Sequence, residues 1–188
     1  MYDMRAFFND RAALWDKTAN YDGDKLAAML LLSDIEKDAR ILDACCGTGV
    51  LEPYLLEFEP KKIWAVDFAE NMIAVAQNKL PHPRIEYRCA DLFNITDIEC
   101  DYCVLYNAFP HFTNPKRLLT HLATLLRPGG RLTISHPQGK RADHSQSQPF
   151  ITAPYLPAQG VVNLLKAQYR VDVMIDNNAM YLVSAIRL

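Results

Sequence analysis

What the sequence lacks narrows it first. No apolar run approaches the roughly 20 residues that a membrane-spanning helix needs. The opening segment, MYDMRAFFNDRAALWDK, mixes acids with bases around no apolar centre, so it does not read as a secretory leader. A basic surplus is missing too. Twenty Lys and Arg face 22 Asp and Glu, the formal charge is -2, and the basic residues are scattered, which argues against a general nucleic-acid partner. Five cysteines in 188 residues make no disulfide framework. Reduced thiols and a cytoplasmic location are the expectation. Glycine is scarce, at seven, and two of those stand in one short turn, Gly47 and Gly49.

What is present reads as one packed domain. Half of the residues are hydrophobic, too many for disorder, and a chain of this length buries roughly 70% of its unfolded surface. From Arg40 onward, short apolar runs alternate with helix-like stretches. RILDA, KKIWAVDF, RIEYRCADL and DYCVLYNAF read as strands, the first three ending at or just before an acid. GVLEPYLLEF reads as a helix with Pro53 in its first turn, and AENMIAVAQNKL as another. NPKRLLTHLATLLRPGG has the clearest helical signal, with Asn114 as N-cap, Pro115 in the first turn and Gly129-Gly130 past the end. RLTISHP is then a fifth strand. Alternation of this kind predicts a mostly parallel sheet with helices on both faces.

The pattern changes after that. Residues 138–157 are polar and aperiodic. AQGVVNLLKAQ reads as a helix, and YRVDVMID and AMYLVSAIRL as strands joined by a hairpin turn at Asn177-Asn178. Ahead of the sheet, residues 1–38 look mostly helical and carry Phe7, Phe8, Trp15 and Tyr21.

The decisive stretch is RILDACCGTGV, Arg40 to Val50. A strand ending in an acid, a glycine turn and then a helix is how α/β proteins hold a nucleotide at the carboxyl ends of their strands. Gly47 and Gly49 permit backbone angles closed to other residues and let a ligand approach the main chain. Glu52 stands where a dinucleotide fingerprint needs its third glycine, and no Gly-Lys-Ser/Thr follows for a phosphate loop. The ligand is expected to carry a nucleoside without needing a phosphate cradle.

At these residues the chain resembles the class I S-adenosylmethionine-dependent methyltransferases. ILDACCGTG looks like their first motif, AVDFAENMIAVA like the second segment, CADL like the acid near the adenine, and LLRPGGRLTIS like the approach to the fifth strand. Four motifs in order make the resemblance specific over about residues 40–136. It implies a Rossmann-like seven-stranded sheet with an antiparallel C-terminal strand. Residues 1–38 would be a helical cover, 39–136 the cofactor-binding core, and 137–188 a substrate-side insert and C-terminal hairpin. S-adenosylmethionine is the implied cofactor. Asp67 would grip the ribose hydroxyls, with Asp43, Ala44, Cys45, Gly47, Gly49, Ala90, Asp91, Leu92, Tyr106 and Asn107 around the ligand. Phe68 and Met72 either flank the adenine or belong to the core.

Cys45 replaces the family's usual first glycine, and CCGTG looks like a variant seen in quinone-biosynthesis C-methyltransferases. Adjacent Cys45-Cys46 do not suit zinc, and Cys100 and Cys103 would alternate faces along a strand, so no metal is expected and the cysteines read as buried and structural. His111, just past the fourth strand, is the first candidate for a general base and His136 the second. His82 and His121 look superficial, and His144 lies in the polar insert. Trp15 and Tyr21 either close over substrate and cofactor or dock on the sheet. No Asn-Pro-Pro-Tyr motif is present, which weakens a nucleobase or glutamine acceptor. The expected activity is methyl transfer to a small molecule. A non-catalytic cofactor-binding module and an RNA methyltransferase with a partner subunit are the alternatives.

Overall fold

The computed structural model describes residues 3–19, 21–137 and 156–188. His144 and most of the polar insert lie outside them.

Two helices come first, α1 at Met4–Thr18 and α2 at Gly23–Leu31. Each has an aspartate N-cap: Asp3 accepts from the N–H groups of Arg5 and Ala6, and Asp22 from that of Lys25. Next come β1 (Arg40–Ala44), α3 (Glu52–Leu56), β2 (Lys62–Asp67), α4 (Glu70–Lys79), β3 (Ile85–Cys89) and β4 (Cys100–Tyr106). The chain closes with α5 (Pro115–Leu125), β5 (Leu126–His136), α6 (Ala158–Leu165), β6 (Tyr169–Asp176) and β7 (Tyr181–Arg187).

The strands form one seven-stranded sheet in the order β3-β2-β1-β4-β5-β7-β6. β7 runs antiparallel to both of its neighbours, and the other pairings are parallel. The Rossmann-like expectation holds, including the turned C-terminal strand. The hairpin also falls as expected: Asn177 Oδ1 accepts from the N–H groups of Ala179 and Met180.

Alternate residues of each strand feed the two faces. Leu42, Ala44, Cys103 and Leu105 pack with α5 and α6, through Leu118, Leu122, Val161 and Leu165. Ile41, Ile63, Val104 and Tyr106 pack with α2 and α3, through Leu26, Met29, Leu51 and Leu55. The long apolar runs of β1, β2 and β4 are explained by this double coverage.

Two details differ from the sequence reading. α5 stops at Leu125, and Leu126 already pairs with Cys100, so Arg127–Gly130 enter β5 rather than ending the helix. Gly129 takes its left-handed φ of 76° inside that segment. A register shift between Cys100 and Tyr102 then turns Cys100 to the same side as Cys103, where both are buried in one cluster. Simple alternation would have separated them. Both thiols are free, and burial pushes each upward, Cys100 to about 12. Among the described residues no group of His, Cys, Asp and Glu is arranged to hold a metal. Cys89 is exposed, against the expectation of five buried cysteines, because it is the last residue of an edge strand. No helix among the described residues is long and apolar enough to cross a membrane.

Candidate functional site

The carboxyl ends of β1, β2, β3 and β4 open into a cavity of about 350 Å³, a size suited to a small ligand. The glycine turn forms its floor. Cys46 N–H bonds the Val66 carbonyl at 3.0 Å, Gly49 N–H bonds the Cys46 carbonyl at 3.0 Å, and Gly47 N–H donates to Asp67 Oδ2 at 3.0 Å. Gly47 has a φ of 57°, and a Cβ built there meets nothing within 4 Å. A side chain would therefore point into open cavity.

Gly49 is different. A Cβ there would come within 3.1 Å of both the Ala76 Cβ and Glu52 Oε2, so this glycine lets the turn press against α4. Gly49 does not line the cavity, and neither does Ala44, whose side chain is in the core beside α5. Both were expected at the ligand. Strand alternation explains Ala44: Asp43 and Ala44 cannot face the same side.

Asp43, Cys45, Gly47, Asp67, Phe68, Met72, Ala90, Asp91, Leu92, Tyr106 and Asn107 do line the cavity. Cys45 has a left-handed φ of 64°, which shows physically why glycine suits its position. Asn107 has the same conformation, at 52°, which asparagine tolerates well. Asp67 is only 7% exposed, and its second oxygen accepts from Ala69 N–H at 2.9 Å. Burial raises its carboxyl above the ordinary range, while backbone donors pull it back. This carboxylate fastens the β1 turn to the end of β2 as well as facing the cavity. Asp91 caps a 3₁₀ turn at Leu92–Asn94 by accepting from Phe93 N–H at 2.9 Å.

Glu52 sits behind the turn. It is fully buried, its two oxygens have no hydrogen-bond partner among the described residues, and burial raises its carboxyl to about 7. Neighbouring Asp43 is also fully buried and raised, by desolvation first and then by Glu52 and Asp67. The sequence signalled only that Glu52 breaks a dinucleotide fingerprint.

α1 lies over the cavity. Met4, Phe8 and Trp15, together with Tyr21 beyond its end, contribute to the lining. Phe8 makes edge contacts with Trp15, Phe68 and His111, at centroid distances of 5.5, 6.0 and 5.6 Å. Trp15 Nε1–H donates to the Tyr21 hydroxyl at 3.0 Å. Asp16 reaches Thr48 in the glycine turn at 2.5 Å and Lys79 at the end of α4 at 2.7 Å. Asn9 and Asn71 add a reciprocal pair of bonds, at 3.0 and 3.2 Å. Nothing in the sequence marked Asp16 or Asn9, since polar residues on a helix ordinarily face water.

His111 lines the cavity on a 3₁₀ turn at Phe109–His111. His136 does not. It is buried at the end of β5, with its ring 5.1 Å from that of Tyr181, so the structure sets the second base candidate apart from the cavity. His121, expected at the surface, is half-buried and bonds the Leu92 carbonyl through Nε2 at 2.7 Å, bracing the wall.

Comparison with known proteins agrees with this geometry. A family model described as a methyltransferase domain matches residues 41–130. This match and the relatives support a class I S-adenosylmethionine-dependent methyltransferase. It is 32% identical over 152 residues to a malonyl-[acyl-carrier protein] O-methyltransferase of Anoxybacillus flavithermus, covering 80% of this chain and 58% of the relative. It is 31% identical over 103 residues to a ubiquinone biosynthesis O-methyltransferase of Coxiella burnetii, covering 53% and 44%. The chain thus spans about half the length of these curated relatives. Among solved structures, the DhpI–SAH complex superimposes with a TM-score of 0.80 at 18% identity, over 97% of this chain and 94% of that one. The family to which these likenesses point uses S-adenosylmethionine. The residues present fit that molecule: a glycine cradle open at Gly47, acids at the ends of β1 and β2, and unpartnered buried polar atoms on Asp43 and Tyr106.

Proposed function

We propose that this methyltransferase transfers the methyl group of S-adenosylmethionine to a small-molecule or acyl-thioester acceptor. The lining of the cavity carries the reading. Asp43, Asp67 and Asp91 oppose one fixed cation, Arg117, among the described lining residues, and the upper wall is Phe8, Trp15, Phe68 and Phe112. A polyanionic acceptor would meet repulsion there, whereas a compact, largely apolar one is accommodated. The names of the two relatives, a malonyl-[acyl-carrier protein] O-methyltransferase and a ubiquinone biosynthesis O-methyltransferase, support the same class.

When bound, the cofactor supplies an electrophilic methyl group on a sulfonium. The chain's own work is then alignment, exclusion of water and, for a protonated nucleophile, removal of a proton. Alignment is worth ~7–11 kcal/mol in favourable cases. In this reading Asp67 holds the ribose, Gly47 lets the ligand lie against the turn, and α1 shields the reacting atoms. His111 is the group on the cavity wall suited to accept a proton at neutral pH, a step that typically contributes about 10²–10⁴-fold.

Incubation with methyl-labelled S-adenosylmethionine and separate pools of small metabolites, acyl-carrier thioesters and RNA tests the proposal. Label is expected in the metabolite or thioester pool. Label in RNA alone would contradict it, and binding without transfer to any pool would point to a non-catalytic module.

A further inference from the structure

Glu52 is a buried acid with no part in the alignment and proton removal described above. It opens α3 directly after the glycine turn, is fully buried, and neither of its oxygens has a partner among the described residues. It does not line the cavity, whereas Asp43 does, with Oδ2 also unpartnered. A Cβ on Gly49 would come within 3.1 Å of Glu52 Oε2, so the carboxyl lies against the back of the turn whose Gly47 faces the cavity. Buried carboxyl oxygens left unpaired oppose folding, and such costs concentrate where a site uses the charge.

Its surroundings do not neutralise it. Asp43 ends β1 and Asp67 ends β2, and both Glu52 and Asp67 act on Asp43. Cys46 in the turn and Tyr87 on β3 feel the Glu52 charge, and burial lifts both, so they stay neutral around pH 7. From α4, Lys79 acts on Glu52, but its Nζ is bonded to Asp16 of α1 at 2.7 Å. α2 meets α3 through Leu26, Met29 and Leu30, which bring no charge. Asp67 is held by the Gly47 and Ala69 N–H groups. Glu52 and Asp43 Oδ2 have no such donor among the described residues.

We infer that Glu52 is a specificity-determining residue: from behind the glycine turn its carboxylate favours the cationic sulfonium cofactor over the neutral thioether left after transfer. The inference rests on S-adenosylmethionine being the ligand, and it adds a reason for the product to leave. The two molecules share nucleoside and amino-acid tail and differ by one methyl group and one positive charge. Hydrogen bonds to the shared parts cannot tell them apart, whereas an unpaired buried charge can. Burial raises Glu52 to about 7, so its negative charge appears as pH rises through neutrality. The preference for the sulfonium therefore grows over the same range. Asp43, also raised, works in the same direction, as does His111 on the cavity wall when it gives up a proton.

Calorimetry with S-adenosylmethionine and S-adenosylhomocysteine at about pH 6 and about pH 8 tests this. In the wild type the preference for S-adenosylmethionine is expected to rise about five- to tenfold, the scale of one partly screened charge–charge attraction. Glu52→Gln keeps the shape without the charge and should hold the preference within about twofold, while His111→Asn should keep the wild-type rise. A second readout needs no variant. At about pH 7, S-adenosylmethionine should release more protons on binding than S-adenosylhomocysteine does, measured in buffers of different ionisation enthalpy. An undiminished rise in Glu52→Gln, a rise lost only in His111→Asn, or equal proton release with the two ligands would overturn the inference. So would a wild-type preference that does not change with pH. Failure to bind either ligand would remove the cofactor reading, and the inference with it.

Discussion

The Thr48 hydroxyl donates to Asp16 Oδ1 at 2.5 Å, so the helix covering the cavity is tied to the glycine turn that forms its floor. The other oxygen of Asp16 meets Lys79 Nζ at 2.7 Å, which extends the tie to α4. A movement of α1 must break both contacts, so a ligand held on the turn would be coupled to the cover.

Asp16→Ala is expected to loosen that cover. A hydrogen bond to a charged group contributes roughly 1.5–3 kcal/mol and an exposed ion pair less, so affinity for S-adenosylhomocysteine should fall several-fold or more. Limited proteolysis near Asp22-Gly23 should become faster in the variant, and ligand should slow it in the wild type. Identical cleavage rates in both proteins, with and without ligand, would make α1 a fixed brace.

Asp67→Ala is expected to weaken cofactor binding by roughly 1.5–3 kcal/mol and to lower stability by about 2 kcal/mol. A strand-end acid in a cleft would ordinarily leave folding untouched. Here, however, the carboxylate accepts from Gly47 and Ala69, and its loss strands two N–H groups. Thermal melts without ligand separate the effects; an unchanged melting temperature would show that the turn finds other partners.

Glu52 sets a pH dependence. Its carboxyl is raised from 4.5 to about 7 by burial, so the folded state favours the protonated form. The stability it contributes is full below the unfolded value and is lost as pH rises through about 7. The loss is on the order of 3 kcal/mol, with Asp43 acting in the same direction. Glu52→Gln should flatten the fall in melting temperature between about pH 5 and 8. A variant with the wild-type slope would assign the dependence elsewhere.

His111→Ala should lower turnover more than cofactor affinity. If His111 accepts the proton, the wild-type rate falls on the acid side as the imidazole becomes protonated, and the variant loses that limb. Superimposable pH profiles would exclude it.

The sheet was legible because its signals are local. Apolar runs ending in acids, the Asn114 cap and the Asn177-Asn178 turn each specify geometry within a few residues. The sites at strand ends followed, and Asp43, Asp67 and Asp91 all reach the cavity. What stayed hidden depends on the third dimension. The bulge beside Cys100 turns one thiol over, the chain leaves α5 at Leu126 because that residue pairs with β4, and Gly49 lies against Ala76 and Glu52. Asp16 carried no signal at all, since its partners are 32 and 63 residues away.

Isothermal calorimetry with S-adenosylhomocysteine and NAD on the wild type and Gly47→Val tests the central claim most directly. Valine at a φ of 57°, with its side chain projecting into the open cavity, should abolish binding while the sheet still folds. The account predicts one molecule of S-adenosylhomocysteine bound by the wild type, none by the variant, and no NAD bound by either. Tight NAD binding with no S-adenosylhomocysteine, or undiminished affinity in Gly47→Val, would contradict it.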